Sequence, residues 1–296
     1  MNRSINIAFV IVAALAAQVY ASAGLHTPAA QADAHHAAAT LHAHAAEPSA
    51  AVAAEPQAQG NEFRWHEPLA AGRVIEIRGI NGSVEAEPAT GGEVEVVAVK
   101  RARRSDPESV RIEVVRHADG VTICAVYPNV EGRAPNTCEP GGGQMNVRDN
   151  DVSVNFTVRV PAGVRFSGNT VNGKVEANNL AADVDAKTVN GGINISTTGL
   201  ARAKTVNGSI TVVMGRADWS DDLEFKTVNG SIEISAPASL SAQVEAKTLN
   251  GEITTDFPIT VQGTFSKRRL TGTIGGGGRD LRLETVNGSV QIRRAS

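Results

Sequence analysis

Apolar and polar positions alternate in short runs through the second half of the chain, and one recurring tetrapeptide divides the runs. After its glycine come Ser209-Ile210-Thr211-Val212, Ser231-Ile232-Glu233-Ile234, Glu252-Ile253-Thr254-Thr255 and Ser289-Val290-Gln291-Ile292. Before it come runs such as Leu223-Glu224-Phe225-Lys226-Thr227 and Val244-Glu245-Ala246-Lys247-Thr248. A period of two predicts half-buried β-strands, aliphatic on one face and Lys or Glu on the other. Each unit reads strand, turn, strand, then a looser connection.

The turn is Thr-Val-Asn-Gly. It ends at Asn172-Gly173, Asn190-Gly191, Asn207-Gly208, Asn229-Gly230, Asn250-Gly251 (with Leu249 for Val) and Asn287-Gly288. Arg269-Leu270-Thr271-Gly272 reads as a degenerate copy, and Gly79-Ile80-Asn81-Gly82 as an outlying one. From Gly173 to Gly288 the spacing is 16 to 22 residues, the mark of stacked units that cannot bury their apolar faces alone.

Two architectures compete. Asn-Gly between alternating runs is a strong hairpin signal and would give an antiparallel β-sandwich of hairpins. Stacked coils would instead pair each strand with its copy about 4.8 Å away. The slot before Asn is always aliphatic, although alternation from the outward Lys places it in solvent. The chain is therefore expected to bend there and carry it inward, as an arc between two sheets. Hairpins also have no need of identical turns, whereas stacking aligns like with like. The expected fold is a single-stranded parallel β-solenoid, β-helix-like, with an irregular N-terminal part. In it the Asn amides bond from coil to coil and glycine supplies positive φ. Stacking in chain order places Ile232 beside Ile253.

Residues 61–165 belong to the same domain, 61–296, but carry the pattern poorly. Longer alternating strands and a Gly- and Pro-rich stretch, 128–143, read as early coils with an excursion that caps the N-terminal end, and 166–296 as the regular repeats. Trp65 is expected to cover the first coil, and Arg293 and Arg294 to guard the last strand edge. Aromatic residues are only 4% of the chain, so small β-branched side chains must build the core.

Ahead of the domain, residues 1–23 read as a secretory signal peptide, with Arg3, an apolar stretch and the small-x-small site Ala21-Ser22-Ala23. Residues 24–60 are rich in Ala and His and read as a disordered linker. In an exported chain, Cys124 and Cys138 are expected to form a disulfide, contributing roughly 3 kcal/mol by loop closure. A net charge of −3 argues against general nucleic-acid binding.

Candidate chemistry is sparse. Two places before the aliphatic slot lie Arg78, Asn169, Lys187, Lys204, Lys226, Lys247, Arg268 and Glu284. Stacked, Lys187, Lys204, Lys226, Lys247 and Arg268 would form a basic strip suited to an acidic polysaccharide, lipid head groups or an acidic protein; a solvated column balanced by nearby acids is the plainer reading. Trp219, among acids, reads as a stacking platform or as sheet-edge packing. The pairs Asp149/Asp151 and Asp183/Asp185 lack the companions of glycosidase carboxylates. Gly275 to Gly278 lacks the Gly-Lys-Ser/Thr of a phosphate loop and reads as an inter-coil connection.

The Lys-Thr-Val-Asn-Gly-Ser-Ile unit behind a signal peptide resembles the bacterial putative-adhesin family, a β-solenoid domain of unknown function found in envelope and surface proteins. The resemblance covers 73–296 and is densest from Thr170 to Ile292. It implies a fold and brings no catalytic residues. The resulting expectation is a non-enzymatic secreted or periplasmic binding or structural module of the cell envelope, without cofactor or metal. Its expected partners are an envelope polysaccharide, an anionic lipid surface or a membrane protein. An envelope-stress or signalling accessory protein and a polysaccharide-acting β-helical enzyme are the alternatives.

Overall fold

The computed structural model describes residues 57–220, 222–261 and 266–295, with side chains from residue 60 onward. The segment read as a signal peptide and most of that read as a linker lie outside the described residues. The chain enters through β1 (Gln57–Gln59) and β2 (Glu62–Pro68), an antiparallel pair. β1 falls inside the segment 24–60 read as disordered, so strand structure reaches back to Gln57.

The first coil is β3 (Val74–Arg78), the Asn81 turn and β4 (Val84–Pro88). An excursion follows through β5 (Glu93–Arg101), β6 (Arg111–His117), β7 (Gly120–Val126) and β8 (Ser153–Val160). Four coils then succeed one another. They are β9 (Arg165–Asn169) with β10 (Val175–Leu180), and β11 (Val184–Lys187) with β12 (Ile193–Thr197). Next come β13 (Ala201–Lys204) with β14 (Ile210–Met214), and β15 (Leu223–Lys226) with β16 (Ile232–Ala236). β17 (Ala242–Lys247) and β18 (Ile253–Thr255) carry the Asn250 turn. After β19 (Ile259–Val261) and β20 (Arg269–Ile274) comes a final coil, β21 (Asp280–Glu284) and β22 (Val290–Arg294).

Each coil passes from one sheet through its Asn-Gly turn into the other. One sheet has the order β1-β2-β5-β8-β4-β10-β12-β14-β16-β22-β18, and the other β19-β20-β17-β21-β15-β13-β11-β9-β3-β7-β6. Every coil-to-coil pairing is parallel, for example Ile193 with Ile210 and Lys187 with Lys204. Antiparallel pairs occur only toward the ends, as in β2/β5 and β6/β7 at one and β17/β20 at the other. The fold is a β-solenoid, not a sandwich of hairpins. Its core lies between the sheets in columns of like residues: Val84, Val175, Ile193, Ile210, Ile232, Val290 and Ile253 form one, all buried. Trp65 on β2 is buried too, within the sheet that extends past the first coil.

The coils do not stack in chain order. The last one lies between the coils of Asn229 and Asn250, so Ile232 pairs with Val290, and Val290 with Ile253. The expected direct pairing of Ile232 with Ile253 is corrected accordingly. The reason lies in β20, which runs antiparallel along β17 and occupies the place of a following coil. From there Gly275 to Gly278 carry the chain past the start of β17 to its other side. Ser241 Oγ donates to the Gly277 carbonyl at 3.0 Å, and the Gln243 N–H to that of Arg279 at 2.6 Å. Gly277 has φ +75°, and a Cβ there would lie 2.7 Å from Gln243 Nε2.

Two further expectations fail with the order. Arg269-Leu270-Thr271-Gly272 is strand, not turn. Arg293 and Arg294 guard no edge, because β22 has neighbours on both sides. Arg293 pairs with Glu233 at 3.0 Å, and the Arg294 guanidinium lies over Phe257, 5.3 Å from the ring centre.

Candidate functional site

The recurring turn is built from three separate interactions. Each Thr is buried and donates its hydroxyl to the glycine carbonyl of the preceding coil in the stack: Thr188 to Gly173 at 2.8 Å, Thr205 to Gly191 at 3.0 Å, Thr227 to Gly208 at 2.8 Å. The pattern runs from Thr170 on Gly82 to Thr285 on Gly230 and Thr248 on Gly288. Each Asn donates Nδ2 to the Oδ1 of its neighbour. The series runs Asn172 to Asn81, Asn190 to Asn172 and Asn207 to Asn190, all at 2.8 Å. It continues with Asn229 to Asn207, Asn287 to Asn229 and Asn250 to Asn287, all at 2.7 Å. All six bonds point the same way, so each polarises the next.

Glycine serves close approach in every turn, and positive φ as well at Gly82, Gly230 and Gly288. A Cβ on Gly173, Gly191, Gly208 or Gly251 would lie 2.0 Å from the carbonyl oxygen of the glycine stacked against it. On Gly230 or Gly288 it would lie 2.1 Å away. The turn asparagines do not enter left-handed space; among the described residues the non-glycine residues with positive φ are Asp149 and Asn179. The aliphatic slot is not carried into the core at the regular turns, although Ile80 in the first coil packs against it. Val171, Val206, Val228 and Val286 are half-buried, Val189 is buried, and Leu249 at the end of the stack is 59% exposed. Thr, not Val, is the inward residue of the turn.

The outward face of the second sheet carries two columns. In stacking order the one nearer the turns reads Cys124, Arg78, Asn169, Lys187, Lys204, Lys226, Glu284, Lys247, Arg269. Glu284 therefore divides the expected strip after Lys226. Arg268 is not in the column: β20 begins at Arg269 and runs antiparallel, which places Arg269 opposite Lys247. The second column reads Thr122, Glu76, Ser167, Asp185, Arg202, Glu224, Arg282, Glu245, Thr271; its later register follows from Glu224 beside Arg282 beside Glu245. Arg202 and Arg282 escaped the sequence reading, although alternation places each two residues before a member of the first column. Carboxylates neutralise the lysines in place. Lys187 pairs with Asp185 at 3.0 Å, Lys226 with Glu284 at 2.9 Å, Lys204 with Glu224, and Lys247 with Glu245. The hydrogen bond from Lys247 holds the Glu245 carboxyl below its usual range. Arg202 forms no ion pair among the described residues.

At the N-terminal end of this face the carboxylate of Glu76 is buried. It accepts from Thr122 Oγ1 and from the Gly141 N–H, both at 2.9 Å, and pairs with Arg78 at 3.1 Å. Gly141 belongs to the Gly- and Pro-rich stretch, which the disulfide Cys124–Cys138 pins at a Cα separation of 5.8 Å. The stretch thus closes the charge columns at one end.

The acids weighed for catalysis have other engagements. Asp183 accepts from the Leu200 N–H at 2.9 Å. Asp151 accepts backbone N–H groups of Ser105 at 2.9 Å, Arg104 at 3.2 Å and Arg103 at 3.3 Å. These bonds, with that of the Ser105 side chain, lower its pKa from 3.8 to about 2. Folded Asp151 thus binds its proton less readily than in the unfolded chain. Its stabilisation is complete above the unfolded value and is lost as pH falls toward about 2. Asp151→Asn is expected to flatten that part of the acid-unfolding curve, measured by circular dichroism; an unchanged curve sinks the assignment. Trp219 is buried, with Nε1 donating to the Asp280 carbonyl at 3.1 Å, so it offers no exposed platform. Among the described residues no group of three or more His, Cys, Asp or Glu is placed to hold a metal ion, and no helix is long and apolar enough to cross a membrane.

A family model described as Toastrack DUF4097 matches residues 141–293. No curated protein matches the sequence. Among solved structures, a putative cell adhesion protein from Clostridium sporogenes is similar at 9% identity and TM-score 0.43, over 81% of this chain and 100% of that one. A putative adhesin from Bacteroides fragilis is similar at 10% identity and TM-score 0.27, over 80% and 98%. The family match spans just over half of the chain and takes in the turn ladder from Thr170 to Gly288. The chain belongs to the Toastrack family, DUF4097.

Proposed function

We propose that the protein is an exported, non-enzymatic module of the cell envelope that binds an anionic partner through the outward face of its second sheet. The observation that carries this reading is the first column, where Lys187, Lys204 and Lys226 stand on consecutive strands with Arg202 beside them. The ion pairs of these lysines are surface pairs, each worth at most about 1 kcal/mol, so a polymer presenting many charges can displace the carboxylates at small cost. Such binding weakens with salt. The disulfide and the leader read from residues 1–23 support an oxidising, exported setting.

The test is retention on immobilised anionic glycans and on vesicles with anionic head groups. Replacing Lys187, Lys204, Lys226 and Lys247 by Ala is expected to weaken retention at low salt by more than about tenfold, or over 1.4 kcal/mol. Undiminished retention of the variant rejects the basic face. Release of reducing ends from cell-wall polysaccharide by the purified protein would reject the non-enzymatic reading.

A further inference from the structure

Asn-Gly is the dipeptide in which asparagine most readily loses its amide, because glycine has no side chain to shield its backbone nitrogen. That nitrogen gives up its proton to base and attacks the Asn Cγ. The Cγ–Nδ2 bond breaks, ammonia leaves with a proton from solvent, and water opens the resulting succinimide to aspartate or isoaspartate. A glycine N–H held in a hydrogen bond resists the first step.

The stack holds nearly all of them. The N–H groups of Gly82, Gly191, Gly208 and Gly230 donate to the Asn carbonyl of the next coil at 2.9 Å, that of Gly288 at 3.0 Å and that of Gly173 at 3.1 Å. Gly251 lies at the end of the ladder, and its N–H has no partner among the described residues. The chain just before β20 covers the flanks of this last turn. The Arg268 carbonyl accepts the Thr248 N–H, and the Lys267 carbonyl accepts the Ile253 N–H, each at 3.0 Å. These two bonds replace those of a following coil, and between them no described residue accepts from the Gly251 N–H. Side-chain exposure agrees: Leu249 is 59% exposed, while the valines in the equivalent slot are half-buried or, at Val189, buried.

We propose that Asn250 is a site of spontaneous deamidation in the folded protein, while stacking protects the other six Asn-Gly turns. The product loses Nδ2, the donor to Asn287 Oδ1 at 2.7 Å, and sets a carboxylate oxygen against another acceptor. The modification therefore removes the last bond of the ladder and marks the age of the molecule at one end of the solenoid.

The full chain, folded and incubated in mildly alkaline buffer, is to be followed by peptide mapping that separates Asn, Asp and isoaspartate. Asn250 is expected to convert more than about tenfold faster than Asn190, Asn207 or Asn229, which react only when their coil opens. In the urea-unfolded chain all the turns are expected to convert at similar rates. Equal rates at Asn250 and the inner turns of the folded protein overturn the proposal. So does protection of Asn250, relative to the unfolded chain, as strong as theirs. Asn250→Gln, whose longer side chain closes a ring far more slowly, is expected to lack the acidic isoform that accumulates in the parent; the isoform's persistence assigns the reaction elsewhere.

Discussion

Deletion of Asp280–Ser296 is expected to unfold the C-terminal third of the solenoid rather than shorten it by one coil. In a solenoid stacked in chain order, the last coil has one neighbour and its loss leaves the rest paired. Here β21 separates β15 from β17, and β22 separates β16 from β18. The deletion removes Leu281, Leu283, Val290 and Ile292, all buried. At about 1.5–3 kcal/mol for each buried side chain, they account for roughly 6–12 kcal/mol, against the 5–15 kcal/mol by which a whole domain is typically stable. It also leaves Thr227 and Thr248 without the Glu284 carbonyl and the Gly288 carbonyl that they use. Hydrogen exchange should show β17 to β20 losing protection while β9 to β14 retain theirs. The competing outcome is that the Asn250 coil slides onto the Asn229 coil, restoring the column of Ile232 and Ile253. Retained protection in β17 and β18 would mean that coil order is exchangeable, and would sink the prediction.

That competing outcome is physically reasonable for the same reason that coil order is not legible in the sequence. Alternation identifies which residues face the core, and the turn motif identifies where each coil bends. Val290 and Ile253 are nearly equivalent partners for Ile232, however, so column compatibility is encoded and succession is not. Succession is decided by β20 lying antiparallel on β17, a pairing that no local pattern announces. The one hint is the stretch from Glu252 to Glu284, which lacks a true Thr-Val-Asn-Gly and contains four consecutive glycines.

The charged face was partly legible for a related reason. Lys187, Lys204 and Lys226 share a column because their strands are parallel and equally spaced from the turn. Arg268 drops out because an antiparallel strand one residue out of step presents its neighbour instead. Glu284 enters between Lys226 and Lys247 because its coil does. The aliphatic slot is misplaced because its constant apolar character is read as burial, whereas alternation from the outward Lys, with Thr inward and Val outward, holds into the turn.

Two adjacent glycines separate the demands of the turn from those of the strand after it. A Cβ on Gly191 would stand 2.0 Å from the Gly173 carbonyl oxygen and 2.5 Å from its carbon. That carbonyl also accepts the Thr188 hydroxyl at 2.8 Å, so the backbone cannot yield without breaking a buried hydrogen bond. On Gly192 the nearest atom to an added Cβ is the Ser209 oxygen at 3.5 Å, an ordinary contact. The equivalent positions hold Lys174, Ser209, Ser231, Glu252 and Ser289, so a side chain there is compatible with stacking. Gly191→Ala is expected to destabilise by about 3 kcal/mol, the upper range for forced overpacking, which lowers the melting temperature by roughly 6–12 °C in a domain of this size. Gly192→Ala should stay within about 0.5 kcal/mol of the parent. Hydrogen exchange on the Gly191 variant should place the loss in the coils of Asn172 and Asn190. Equal melting temperatures for the two variants would mean that the coils can part at the turn without cost, and that close backbone stacking is not what requires glycine after asparagine.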